Sequence, residues 1–172
     1  MGHTEQKSNQ TDPFNPENYI INSLEDEIRA DQTCKVLLKQ YHQYLLKNKE
    51  LSPRKAGEKA SGTDYFLRDF MIDNRHKNPF KMSPDLVHQF AGNWYIISNL
   101  EPNMLELNNI LSGVSYFASF CVENKMIAQT LAEKISLTCS QVEFYQQRID
   151  SFNDLSGDMY AAWKNVCPLD KE

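Results

Sequence analysis

Nowhere in the 172 residues does an apolar run approach the ~18 residues that a membrane span requires, so no membrane partner is expected. The first residues, MGHTEQKSNQTDP, carry neither a basic start nor an apolar stretch. No secretory leader is therefore expected, and the expected localisation is cytoplasmic. Cysteine is sparse: Cys34, Cys121, Cys139 and Cys167 form no C-x-x-C pair and no zinc-finger spacing, which predicts reduced, buried thiols. The four histidines are scattered, with no H-E-x-x-H and none within four residues of another His or a Cys. That excludes the local zinc motifs, and no metal or other cofactor is expected. Six glycines never assemble into G-x-G-x-x-G or a P-loop, and no G-x-S-x-G elbow occurs. Glu25, Asp26 and Glu27 are a carboxylate cluster, but at a helix start they answer the positive end of the helix dipole. With no histidine or metal beside them, the chain is not expected to be an enzyme.

Strand signals are missing as well. No segment alternates apolar and polar residues between hairpin turns, whereas three- and four-residue apolar steps recur throughout. Leu24, Ile28, Cys34, Leu37, Leu38, Tyr41, Tyr44 and Leu45 form one helical stripe that runs to about Lys47. Ser52-Pro53 and Ser83-Pro84 each pair a cap with a first-turn proline, so helices begin there. The second helix presents Ala56, Ala60, Phe66 or Leu67, and Phe70, with a bend expected near Ser61-Gly62. Pro79 makes 74–82 a loop, and Asn99 to Pro102 is a break. Leu107, Ile110, Leu111, Val114, Phe117, Ala118 and Cys121 form the strongest periodic stretch. Gly113 in its middle predicts close approach of another helix. Further helices follow over 127–135 and 142–152, and from Met159 onward. The expected fold is all-α: a single bundle of six or seven helices over 16–172, preceded by a flexible segment over 1–15.

Charge is distributed unevenly. The chain has net charge −5, yet residues 33–81 hold 11 basic and 5 acidic side chains, net +6, between two acidic flanks. Lys47, Lys49, Arg54, Lys55 and Lys59 gather around the first helix junction, and Arg75, Lys77 and Lys81 form a second group. If both groups face one way, they would neutralise phosphates of a nucleic acid. Lys55 and Lys59 lie four residues apart, on one helix face. Tyr41, Tyr44, Tyr65 and Tyr116 are expected to pack rather than to stack bases.

The order of these signals resembles the N-terminal core-binding domain of tyrosine recombinases and phage integrases. The likeness covers 41–135. Tyr44-Leu45, Leu51-Ser52-Pro53 and Phe66-Leu67 match its first helices. Ser83, Leu86, Val87 and Phe90 match its capped helix, and LSGVSYFASFCVENKMI matches its last. The resemblance implies a helical core that clamps a DNA duplex, with a C-terminal helical extension added here. It does not imply catalysis. No His-x-x-Arg exists, since His42, His76 and His88 are followed three residues on by Leu45, Pro79 and Ala91. Lys55 and Lys59 stand where the family has Thr and Tyr, and Ser115, Ser119 and Asn124 stand where it has basic residues. The reading is a non-catalytic DNA-binding domain, with Lys47, Lys49, Arg54, Lys55, Lys59, Arg75 and Lys77 as the contact set. The competing reading is a protein-interaction or homo-oligomerisation module, with Phe152, Tyr160 and Trp163 as its surface.

Overall fold

Ser23 accepts the amide of Asp26 and opens helix α1, Leu24–Lys47. The computed structural model describes residues 11–168. Its helices follow in the order α2 (Pro53–Asp64), α3 (Pro84–Gln89), α4 (Tyr95–Ser98), α5 (Met104–Glu123), α6 (Gln129–Cys139), α7 (Val142–Asn153) and α8 (Met159–Val166). Two wide π-helical segments join neighbours: Tyr65–Asn74 extends α2, and Phe90–Trp94 links α3 to α4. The described residues therefore form seven continuous helical rods and no strand, an all-α bundle. Among them no helix is long and apolar enough to cross a membrane.

Ser52 and Ser83 cap as expected, accepting the amides of Lys55 and Leu86, each ahead of a first-turn proline. No break falls at Ser61-Gly62, where a bend is expected: α2 continues to Asp64 and widens from Tyr65. In a π turn the residues advance by less than 100° each, so both Phe66 and Leu67 face inward and both are fully buried. They meet the second wide segment: Phe66 and Phe70 pack on Phe90, with Tyr65 and Phe70 on Trp94.

Gly113 does what its position predicted. A Cβ there would sit 2.5 Å from the Lys59 carbonyl and 2.6 Å from Thr63 Oγ1, so α2 and α5 cross in contact. Gly62, where sequence predicts only a bend, serves the same crossing: a Cβ there would lie 2.9 Å from Ile110 Cα. Tyr41 of α1 closes the third side, donating to the Gly113 carbonyl at 2.6 Å and meeting Phe117 edge-on.

Two details depart from the sequence reading. Leu24 and Ile28 are 71% and 50% exposed, because the buried stripe of α1 begins only at Ala30. Of the segment expected to be flexible, residues 1–10 lie outside the described residues. Pro13 and Phe14 are packed: Phe14 contacts Phe80 and Phe120, and Tyr19 donates to the Pro13 carbonyl at 2.6 Å.

Arg68 binds Asp31 at 2.7 Å and Asp64 at 3.1 Å, tying α1 to the widened end of α2. Burial raises the Asp31 pKa, but the Arg68 hydrogen bond and charge outweigh it, and the carboxyl titrates below its usual range. A depressed folded pKa means stability present above the unfolded value, about 3.9, and lost as pH falls through the folded one. Urea unfolding from pH 6 to pH 2 is expected to show this loss below about pH 4, and Asp31→Asn to flatten that part of the profile.

Candidate nucleic-acid interface

The junction between α1 and α2 is a tight corner. Asn48 and Lys49 both donate to the Tyr44 carbonyl, Leu51 donates to the Leu45 carbonyl, and Glu50 takes φ of 52° to make the turn. Half-buried Leu51 anchors it. The polar residues are therefore forced outward, and Lys47, Lys49, Arg54 and Lys55 are all exposed. Lys49 Nζ lies 5.7 Å from the centre of the Tyr44 ring. Burial raises the Tyr44 hydroxyl pKa, with Lys49 pulling the other way. Arg54 pairs with Glu58 at 3.0 Å but remains 89% exposed, and such surface pairs exchange readily for another anion.

One residue of this corner, Lys49, reaches a groove of about 390 Å³ between α5 and α6. Lys49 stands at one side, and Asn108, Ser112, Ser115, Tyr116, Ser119, Ser136 and Ser140 supply hydroxyls and an amide. Ser115 and Ser136 share a 2.7 Å hydrogen bond that pins the two helices together. No carboxylate stands among the described residues lining it. A larger groove of about 570 Å³ lies between α2 and α5, but Glu58 and Glu106 line it, which disfavours phosphate there.

Not every expected contact residue belongs to this face. Lys59 turns onto α5 and donates to Asn109 Oδ1 at 2.9 Å, and burial lowers its ammonium pKa. It leaves Lys55 as the outward lysine of that pair. Arg75 and Lys77 lie elsewhere altogether. The 12 residues of α2 and the 10 of its π extension separate them from Arg54 by roughly 30 Å at 1.5 Å per residue. Arg75 donates to Gln89 Oε1 and lies over the Phe70 ring, while Lys77 is exposed. The two basic groups thus sit at opposite ends of one helix. A close spacing in sequence did not become a shared side, because the helix between them is unbroken.

Tyr41 and Tyr44 are buried, as the packing reading expected. Of the proposed interaction surface, Trp163 is enclosed: it lies 3.8 Å over the Arg148 guanidinium and donates to the Arg148 carbonyl. Phe152 packs on Trp163 at 4.9 Å, and only Tyr160, at 42%, is exposed. Sequence reasoning missed the groove. Its signal was Ser112, Ser115 and Ser119 at helical spacing on one side of α5, which becomes a groove only once α6 lies beside it. A second cluster, Glu27 and Asp73 beside Asp31 and Asp69, is acidic; the Asp73 hydrogen bond raises the Glu27 carboxyl above its usual range. No group of three or more His, Cys, Asp or Glu among the described residues is placed to hold a metal ion. Against known proteins, no family model matches the chain, nor does any curated protein or solved structure.

Proposed function

We propose that this chain binds the backbone of a nucleic acid, without catalysis, at the corner between α1 and α2. One observation carries the reading. Four exposed cations, Lys47, Lys49, Arg54 and Lys55, stand within nine residues around one corner, and one of them, Lys49, lines a groove of hydroxyls and an amide. Lysine and arginine supply the charge, and serine, asparagine and tyrosine supply the neutral donors, that phosphate oxygens take. Glu50 and Glu58 oppose them, so the field is modest, and binding should be weak and tolerant of sequence. The likeness of 41–135 to recombinase core-binding domains supports duplex DNA as the polymer. Arg75 and Lys77 drop out of the contact set on distance, and Lys59 serves the α2–α5 contact.

The test is retention of a short duplex against salt. Four phosphate contacts give a log–log slope of about −3.5, hence roughly a 100-fold loss of affinity between 50 and 200 mM salt. Lys47→Glu/Lys49→Glu/Lys55→Glu is expected to abolish binding, and Lys77→Glu to leave it unchanged. A flat salt response, or equal loss in both variants, would sink the proposal. The second reading, self-association through the C-terminal helices, is favoured only by the exposure of Met159, Tyr160 and Val166 on α8. Light scattering across a concentration series checks it, with a constant monomer mass counting against it.

A further inference from the structure

Three of the four thiols are inert by their surroundings. Cys34, Cys121 and Cys139 are buried in the bundle, and burial pushes each thiol up, Cys139 to about 12. Cys167 is equally buried, yet its neighbours are different in kind. Its Sγ lies 3.1 Å from His88 Nε2. His88 is held flat against Phe144, ring centres 5.0 Å apart. Across from it stands Arg148 of α7, 5% exposed. Its Nε donates to the Gly92 carbonyl and its Nη1 to the Trp163 carbonyl, both at 2.8 Å. Its Nη2 is buried and completes no hydrogen bond. Burial lowers the guanidinium's pKa, and Cys167 is the neighbour that pulls it back up.

The wide turn Phe90–Trp94 builds this site. It turns the Gly92 carbonyl toward Arg148, and it aims Asn93 at the end of α8, where Nδ2 donates to the Lys164 and Cys167 carbonyls. Gly92 also leaves room for sulfur, since a Cβ there would lie 2.7 Å from Sγ. Among the described residues, His88 from α3 and Arg148 and Tyr145 from α7 act on the thiol. His88 contacts the sulfur directly, and Arg148 is an obligate cation whose charge acts on it.

We infer that Cys167 is a modification site: a thiolate paired with His88 and Arg148 that reacts with small electrophiles, hydrogen peroxide being the class small enough for so buried a sulfur. The sulfur attacks one peroxide oxygen; an S–O bond forms as the O–O bond breaks. Sulfur gives up two electrons, and the departing hydroxide takes the imidazolium proton of His88 and leaves as water. The product is a sulfenic acid. Access comes from α8, which exposes Met159, Tyr160 and Val166 and buries only Trp163, so it opens at less cost than the bundle.

The test is the alkylation rate of each cysteine in the full chain with iodoacetamide, read by mass spectrometry across pH 5 to 10. An ordinary thiol gains reactivity around pH 8.5, and each unit of lowered pKa raises its thiolate fraction about tenfold at neutral pH. Cys167 is expected to reach its plateau at least one unit below that midpoint. His88→Gln is expected to return the midpoint toward the ordinary value. With hydrogen peroxide, a sulfenic-acid trap should label Cys167 at least tenfold above the other three, whose buried thiols titrate above the ordinary value. The wild-type profile decides even if His88→Gln folds poorly. A Cys167 midpoint at the ordinary value, a profile unmoved by His88→Gln in a folded variant, or even labelling of all four thiols would overturn the inference.

Discussion

Gly113→Ala is expected to destabilise the protein by about 2 kcal/mol, although alanine is the better helix former by about 1 kcal/mol. The reason is the neighbour at that point. The new methyl would meet the Lys59 carbonyl at 2.5 Å and Thr63 Oγ1 at 2.6 Å, and a carbonyl inside α2 cannot step aside. Helix α2 must lift off α5, which also stretches the 2.6 Å bond from Tyr41 to the Gly113 carbonyl and loosens α1. Urea unfolding of the single variant measures the loss. Tyr41→Phe alone should lose about 1 kcal/mol, that of one net hydrogen bond. The double variant should lose less than the two added together, since both act on the same contact. A Gly113→Ala variant as stable as wild type would mean that α2 and α5 are not in contact there.

Arg148→Ala is expected to release α8 and to lower stability by about 3 kcal/mol, within the range for stripping a buried, hydrogen-bonded group and leaving its partners bare. The guanidinium satisfies the carbonyls of Gly92 and Trp163 from a buried position and supports the Trp163 ring at 3.8 Å. Alanine leaves both carbonyls without that donor and Trp163 without its stack. Because α8 is otherwise held by Asn93, by the Trp163 indole donating to the Arg148 carbonyl and Ser151, and by Phe152 against Trp163, the damage should concentrate there. Hydrogen exchange is the sharp measurement: amides of Met159–Val166 should lose protection by about two orders of magnitude, while α5 changes much less. Uniform loss across the bundle would show that α8 is not a separately opening unit.

These two sites differ in how visible they are from sequence. Gly113 interrupts the best periodic stretch in the chain, and a glycine there is costly unless something comes close, so its role could be read in advance. Arg148 carries no such mark, because it looks like any charged residue on an amphipathic helix until Trp163 is folded back over it. Ser52-Pro53 and Ser83-Pro84 located their helices because capping is chemistry between residues three apart. The π widening after Asp64 escaped notice since adjacent Phe66 and Leu67 can both be buried only through contacts with Phe90, from another helix. For the candidate interface, the cations at the corner were legible as a cluster. Which of them point outward together was not: Lys59 found Asn109, fifty residues away, and Arg75 found Gln89.

Local chemistry alone determined that this chain is helical, where most of its helices begin, and which side of each is apolar, because those depend on neighbours within a few positions. Tertiary structure decided the rest. It set Lys47, Lys49, Arg54 and Lys55 at one end of α2 and Arg75 and Lys77 at the other. It brought Ser136 to Ser115, and it placed Cys167 against His88 across 79 residues. Those pairings follow from how whole helices cross, and crossings depend on shape and contact summed over both partners, which no short stretch of chain contains.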